Sequence, residues 1–131
     1  MATLTSDEAF DIARQLADLA QQVSDYRFGH AVQLSADDMA QWRNVEDRLR
    51  SISNRYLDLG ANIVLDDAAD AIQQLSNVTA RLKKTLTTLA NIERGLAIAA
   101  ALLQLATAFG SANPAAIAGA VQNVLTAAGP A

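Results

Sequence analysis

The chain has 131 residues, of which 51% are hydrophobic, 18% are charged and 28 are alanine, a composition that excludes a disordered chain and a collagen-like repeat. It has no cysteine, which excludes disulfide bonds, iron–sulfur clusters and cysteine nucleophiles. The net charge of −4 argues against nucleic acid as a partner, because phosphate binding needs a clustered basic surface.

The charges fall into three blocks along the chain. Residues 1–70 hold 13 acids and six arginines, and residues 71–94 hold four basic residues against one acid. Residues 95–131 hold no charged side chain at all. An uncharged stretch of this length must be buried in the fold, in a partner or in lipid, so the functional hypotheses depend on it.

The first predicted helix covers residues 6–31. Thr5 and Glu8 have the spacing of a capping box, and Ser35 with Asp38 forms a weaker pair before the second helix. His30 is expected near the end of the first helix. The apolar side of this helix has three–four spacing and consists of Phe10, Ala13, Leu16, Ala20 and Val23.

The second predicted helix carries a heptad seam, the pattern of a helix that packs against another at a shallow angle. A break is expected at residues 60–66, where the β-like run 63–65 is too short to form a sheet. Asp66 is placed to cap the third helix. The seam of the second helix consists of Trp42, Val45, Leu49, Ile52, Tyr56, Leu59 and Ile63.

The third predicted helix runs from 67 to about 109, which is roughly 60 Å. It would bend near Gly95 or project as a stalk, and Gly110 would end it. Asn113 and Pro114 then begin a fourth helix, 114–127. The seam of the third helix includes Ile72, Leu75, Thr79, Leu82, Leu86 and Leu89.

Residues 95–127 therefore form a predicted hairpin of two apolar helices. Its first arm, 95–110, is about 24 Å long and shorter than a bilayer core requires, so burial within protein and insertion into lipid both remain open. Its main apolar residues are Leu96, Ile98, Leu102, Leu103, Leu105, Phe109, Ile117, Val121 and Val124. Over this third of the chain, the layout resembles that of α-helical pore-forming toxins and secreted translocator proteins. That resemblance rests on composition and implies no functional residue.

A basic collar precedes the hairpin and consists of Arg81, Lys83, Lys84 and Arg94. It is either a solvated face or a surface attracted to anionic headgroups. No catalytic constellation surrounds His30, the only histidine, which is expected to cap carbonyls. The acid runs 7–11 and 66–70 lie at helix starts and lack the pattern of a calcium loop. We therefore expect no enzyme activity, cofactor or metal site.

The sequence predicts an all-α helical bundle or hairpin built around one long helix, forming a single domain (1–131) with charged helices at 1–94 and an apolar hairpin at 95–131. The two heptad seams and the hairpin supply more apolar surface than these helices can readily bury, so we expect a homo-oligomer or a protein partner.

Trp42 and Tyr56 fit core packing, with a partner hot spot as the alternative. A membrane-active pore-forming or translocator-like subunit is the second hypothesis, and an acidic inhibitor or chaperone the third. The N-terminal residues do not have the pattern of a signal peptide, so we expect the protein in the cytoplasm or exported without a cleavable signal. The second hypothesis adds association with a membrane.

Overall fold

Five α-helices make up most of the chain in the computed structural model, which describes residues 3–129. They are α1 (Ser6–Gly29), α2 (Ala36–Leu59), α3 (Ala68–Thr88), α4 (Ile92–Ser111) and α5 (Pro114–Ala128). A short 3₁₀ helix, Gly60–Asn62, follows α2, and the described range contains no strand. The predicted all-α class and bundle arrangement are confirmed.

Both predicted capping boxes form. The Thr5 hydroxyl accepts a hydrogen bond from the Glu8 N–H at 3.1 Å, and the Glu8 carboxylate accepts one from the Thr5 N–H at 2.9 Å. Ser35 and Asp38 repeat this exchange before α2, at 3.1 and 3.4 Å. These bonds satisfy N–H groups that the helices leave without partners, and they set where α1 and α2 begin.

His30 organises the turn between α1 and α2. The first helix ends at Gly29, so the predicted end at residue 31 was two residues too late. The backbone N–H of His30 donates to the Tyr26 carbonyl oxygen at 3.0 Å, and His30 Nδ1 lies 2.9 Å from the same oxygen. The single histidine therefore caps a helix carbonyl, as the sequence indicated.

The break between the second and third helices, predicted at residues 60–66, covers residues 60–67 in the structure. Val64 pairs with Thr3 in one isolated antiparallel bridge, which ties the start of the chain to the end of α2. The N-cap of α3 is Asp67, not Asp66 as predicted. Asp67 has a left-handed backbone (φ 57°) and its side chain caps no N–H, so the turn itself starts α3 one residue later.

The single long helix predicted over 67–109 was wrong, because the chain reverses between α3 and α4. Asn91 is the N-cap of α4, and its side chain accepts a hydrogen bond from the Arg94 N–H at 3.0 Å. Leu89, which lies between the two helices, is only 7% exposed and packs into the core at this turn. Folding α4 back buries its apolar stripe, which a projecting helix would leave in water.

The turn between α4 and α5 also departs from the prediction. Gly110 does not end the helix, which continues through Ser111 to a left-handed Ala112 (φ 51°). Asn113 and Pro114 begin the last helix as predicted. The Asn113 side chain accepts hydrogen bonds from two first-turn N–H groups, at 3.0 and 3.2 Å.

The five helices close a ring in the order α1, α2, α4, α5, α3. Short connections reverse the chain at each step, so α1 packs antiparallel to α2 and α4 antiparallel to α5, while the other neighbours are parallel. We call the end that holds residues 3–5, 60–67 and 112–113 the N-terminal end. We call the other, with residues 30–35 and 89–91, the His30 end.

All five helices contribute to one hydrophobic core. Trp42, Tyr56 and Phe109 are its largest fully buried side chains, and each is at most 1% exposed. Ser53 is a buried polar exception whose hydroxyl donates to the Ala13 carbonyl oxygen at 2.7 Å, between α2 and α1. Each buried polar group that finds such a partner avoids an uncompensated desolvation cost.

Candidate functional site

The predicted interaction seam lies inside the folded chain. Leu59 is the exception on α2, being 46% exposed, and Ile63 and Thr79 are half-buried. The buried members are Trp42, Val45, Leu49, Ile52, Tyr56, Leu75, Leu82, Leu86 and Leu89. The heptad pattern was therefore a correct signal of helix packing, but these side chains meet other helices of the same chain and are not presented to a partner.

The large apolar side chains of the predicted hairpin are buried as well. Leu96 and Leu103 are half-buried. Those at most 5% exposed are Ile98, Leu102, Leu105, Phe109, Ile117, Val121 and Val124. The expectation that the chain has more apolar surface than it can hide was therefore wrong for the seams and the hairpin. The uncharged stretch finds its apolar environment in the neighbouring helices.

The outer face of α4 and α5 is the part of the uncharged stretch that reaches water. On α4 its exposed residues repeat with three–four spacing and are Ala97, Ala100, Gln104, Thr107 and Ser111. On α5 they include Ala115, Ala116, Ala118, Gly119, Gln122, Asn123 and Thr126. We call this surface the neutral face. It combines three–four spacing on α4, mostly small side chains and a complete lack of charge, properties that let another helix approach closely.

A shallow groove of about 530 Å³ runs along the neutral face between α4 and α5. Leu103 and Ala108 contribute apolar wall on α4, and Gly119 and Ala120 do so on α5. The Asn123 side-chain amide donates to the Gln104 side-chain oxygen at 3.2 Å across the two helices. Gly119 has nothing within 4 Å of the position where a Cβ would stand, so the groove is open at that point.

The basic collar is divided by the fold. A guanidinium N–H of Arg81 on α3 donates to the Gly129 carbonyl oxygen, and Arg94 Nε donates to the Ala127 carbonyl oxygen at 3.4 Å. Both arginines thus bind the C-terminal end of α5, where carbonyls lack helical partners and the helix dipole favours cations. Lys83 and Lys84 are exposed on α3. The two arginines remain charged but are tied to α5, whereas the two lysines extend into solvent.

Sequence reasoning missed this arginine clamp on α5, which we define as Arg81 and Arg94 with the carbonyls of Ala127 and Gly129. The two arginines are separated from those carbonyls by 33 residues or more. Arginine is a common ligand of helix C-terminal carbonyls, but that preference is visible in sequence only when the arginine lies in the same helix. Here the partner helix could be found only from the ring order.

Three aromatic rings form a cluster near the His30 end. The Tyr26 ring stacks on His30 with centroids 4.1 Å apart and contacts Trp42 with centroids 4.6 Å apart. The Tyr26 hydroxyl and Trp42 Nε1 are buried and have no hydrogen-bond partner among residues 3–129. Burial raises the pKa of Tyr26. His30 caps α1 and stacks on Tyr26, so these contacts make the cluster a packing unit.

A second groove, of about 740 Å³, lies between α1 and α3. Its charged side chains carry both signs. Arg14 pairs with Asp18 at 3.7 Å, and Asp25 accepts a hydrogen bond from the Gln21 amide at 3.0 Å. Opposite them, the Gln22 side-chain amide donates to the Thr79 carbonyl oxygen at 3.2 Å. This groove is a solvated junction of two parallel helices, with no convergent set of groups for one class of ligand.

No group of three or more His, Cys, Asp or Glu side chains is arranged to hold a metal ion within residues 3–129. The acid runs lie at the starts of α1 and α3, as predicted from the helix dipole. The chain matches no known family, no curated protein and no solved structure.

Proposed function

We propose that the protein is a non-catalytic helical assembly protein whose copies associate through the neutral face of α4 and α5. The observation that supports this most is the exposed stripe Ala97–Ala100–Gln104–Thr107–Ser111, which has heptad spacing and no charge. An uncharged stripe of mostly small residues lets the backbones of two helices approach closely. It lies on the outside of the ring, where none of the five helices covers it.

Charge favours a second copy of the chain as the occupant. The protein has a net charge of −4, so most contacts between copies would bring like charges together. Between Ala97 and Gly129 no charged residue contributes to the surface. Two copies can therefore pack these faces together with charges only at one edge, where Glu93 and Arg94 are exposed, which lowers the electrostatic cost of association.

The test is the mass of the protein in solution, measured by sedimentation over a range of concentrations. Thr107→Arg and Gly119→Arg place a charge on the neutral face, and the open space at Gly119 accepts the new side chain. Asn54→Arg is the matched control, because Asn54 is exposed on α2 and away from that face. We expect a dimer or larger oligomer for the wild type and the control, and a monomer for the two face variants.

Three results would contradict the proposal. The first is a wild-type monomer at about 100 µM, a concentration at which a contact of even modest affinity is populated. The second is an oligomer that both face variants retain. The third is an Asn54→Arg control that dissociates to monomers to the same extent as the face variants, which would assign the effect to added positive charge in general.

A second candidate function is membrane insertion of the hairpin, which one observation favours. Within the described residues, α4 is the one helix long and apolar enough to cross a bilayer, by length and composition alone, and half of its best window is buried. Insertion would have to open the ring, since the large apolar side chains face inward. It would break the arginine clamp on α5 and the bond from the Tyr56 hydroxyl to the Phe109 carbonyl oxygen.

Dye release from vesicles distinguishes this second function. The protein would be added to phosphatidylglycerol-containing and to purely zwitterionic vesicles at pH 7 and pH 4.5. Trp42, the one tryptophan, is fully buried, so opening of the ring should shift its emission. Membrane activity predicts dye release together with that shift. An intact dye signal and unchanged Trp42 emission under all conditions would exclude it.

A further inference from the structure

The exposed large apolar side chains are gathered at the two ends of the ring. In the part of the chain that the structure describes there are six: Phe10, Phe28, Val32, Leu57, Leu59 and Val64. Four of them, Phe10, Leu57, Leu59 and Val64, lie at the N-terminal end, and two lie at the His30 end. Apolar side chains grouped in this way mark contact surfaces more often than isolated ones do.

Phe10 and Leu57 share one side of the α1–α2 pair. The Ser53 hydroxyl donates to the Ala13 carbonyl oxygen, so these two positions face each other. Phe10 lies three residues before Ala13, and Leu57 lies four residues after Ser53. Because the helices are antiparallel, both steps lead one turn towards the N-terminal end on the same side. Phe10 is 59% exposed and Leu57 is 54% exposed.

Acidic side chains outnumber basic ones at this end of the ring. Within two helical turns of the N-terminal end, in residues 3–12, 53–75 and 105–120, there are seven acids and one arginine. Asp7 lies one turn before Phe10 on the same helix face, and Asp58 directly follows Leu57. Neither carboxylate has an ion pair with any described residue. The neutral face contributes no charge to compensate them.

The acidic charge and the exposed apolar pair at the N-terminal end together restrict the kind of partner that can bind there. A second copy would oppose two acidic surfaces, and anionic lipid or nucleic acid would be repelled. An amphipathic helix with an apolar stripe and flanking lysines or arginines matches both features, since its stripe covers Phe10 and Leu57 while its cations meet the carboxylates. We propose that the N-terminal end of the ring is a docking site for a basic amphipathic helix of a partner protein.

This docking site is separate from the self-association proposed above. It is built from α1 and α2, whereas the neutral face belongs to α4 and α5. An assembly through the neutral face leaves Phe10 and Leu57 in solvent, so each proposal can fail without the other.

The probe is a fluorescently labelled helical peptide of leucine and lysine, with leucines at helical three–four spacing, titrated with the full chain and followed by anisotropy. The matched reference peptide replaces every lysine by glutamate. The patch variant combines Phe10→Ser and Leu57→Ser, both at exposed positions. Its control is Phe28→Ser, at a side chain 66% exposed near the His30 end.

A second pair of variants tests charge. Asp7→Asn with Asp58→Asn removes two carboxylates beside the patch. Asp37→Asn with Asp47→Asn removes two exposed carboxylates elsewhere on α2 and changes the net charge equally. Circular dichroism of every variant checks that the helices are retained.

We expect the patch variant to bind the lysine peptide at least about tenfold more weakly, and Phe28→Ser to stay within about twofold of wild type. The variant without Asp7 and Asp58 should bind more weakly and with less salt dependence than its control. Equal loss in patch variant and control would overturn the proposal, as would equal binding of the glutamate peptide or no binding at about 100 µM. Binding to anionic vesicles that depends on Phe10 and Leu57 would assign the site to lipid and would also overturn it.

Discussion

The hydroxyl of Tyr56 donates a hydrogen bond to the backbone carbonyl oxygen of Phe109 at 2.5 Å, joining α2 to the end of α4. The two rings also meet edge to face, with centroids 6.3 Å apart. A residue of the predicted seam is thus bonded to the predicted hairpin. The two sequence features that were treated as separate contact surfaces stabilise each other inside one chain.

Tyr56→Phe should lower the free energy of unfolding by about 1 kcal/mol, the net contribution of one hydrogen bond. The loss stays modest because the Phe109 carbonyl oxygen also accepts from the Ala112 N–H at 3.1 Å. Urea unfolding at pH 7 measures this change. An unchanged midpoint would show that the bond contributes nothing.

The same residue makes stability depend on alkaline pH. Burial raises the pKa of Tyr56 to about 12 from its ordinary value of 10.0, although Arg55 opposes part of the effect. The folded state therefore holds the phenol proton more tightly than the unfolded state does. The stabilisation is complete below pH 10 and is lost as the pH rises towards 12. The gap in stability between wild type and Tyr56→Phe should therefore narrow above pH 10.

Gly95→Ala should destabilise the fold through a clash with Tyr26. An added Cβ would stand 2.8 Å from the Tyr26 hydroxyl oxygen and 3.4 Å from atoms of Leu89 and Trp42. Overpacking of this kind costs about 1–3 kcal/mol, against about 1 kcal/mol that alanine gains over glycine in a helix. Thermal unfolding of the variant gives the net value.

A double-mutant cycle with Tyr26→Phe isolates the cause. The Tyr26 hydroxyl is buried with no hydrogen-bond partner in the described part of the chain, so Tyr26→Phe alone should be close to neutral. In the Tyr26→Phe background the cost of Gly95→Ala should fall. Additive effects of the two substitutions would rule out the clash as the explanation.

Gly129→Ala should loosen the arginine clamp on α5. Gly129 has a φ of +80°, and an added Cβ would overlap the Arg94 guanidinium. We expect faster hydrogen exchange in the last turn of α5 and a loss of about 1–3 kcal/mol from the left-handed backbone strain. Gly29→Ala is the matched control, because its Cβ would meet nothing within 4 Å. If both variants behave alike, the clamp does not hold α5.

Glu46→Gln should make stability less dependent on acidic pH. Glu46 binds Arg27 at 2.8 Å and Arg50 at 3.2 Å. Burial raises the pKa of Glu46, but hydrogen bonds and charge from the two arginines outweigh it and leave the pKa below 4.5. The stabilisation is present above pH 4.5 and is lost as the pH falls through the lowered value.

Wild type should therefore exceed Glu46→Gln in unfolding free energy by about 1–3 kcal/mol at pH 7, the value of a charge-assisted hydrogen bond. The difference should shrink steadily below pH 4.5. Urea titrations from pH 3 to pH 7 would follow it. A constant difference across that range would contradict the role of the ionised carboxylate.

The sequence predicted those parts of the fold that depend on neighbouring residues. The Thr5–Glu8 and Ser35–Asp38 caps and the Asn113–Pro114 start are short-range patterns with one physical solution each. The break before Asn91 escaped prediction because the Leu82, Leu86, Leu89 and Leu96 spacing continues across it without a proline. What ends α3 there is the gain from burying α4, which is a tertiary effect.

The candidate surfaces were predicted less well for a related reason. Heptad spacing shows that Trp42 and Tyr56 pack against a helix, but it does not tell whether that helix belongs to the same chain. The sequence separates Gln104 and the alanines of the hairpin from its large residues, but it does not tell which of these small residues face water. Only the ring order separates its inner from its outer side.

The ring order has a consequence for the way the molecule forms. Because α5 packs between α3 and α4, the ring of helices is closed only when α5 docks against both of these preceding helices. Pairing of α3 with α5 spans a large loop, and such distant pairings slow folding relative to a bundle of sequential hairpins. If α5 docks after the rate-limiting step of folding, substitutions that weaken its contacts will raise the unfolding rate and leave the folding rate almost unchanged.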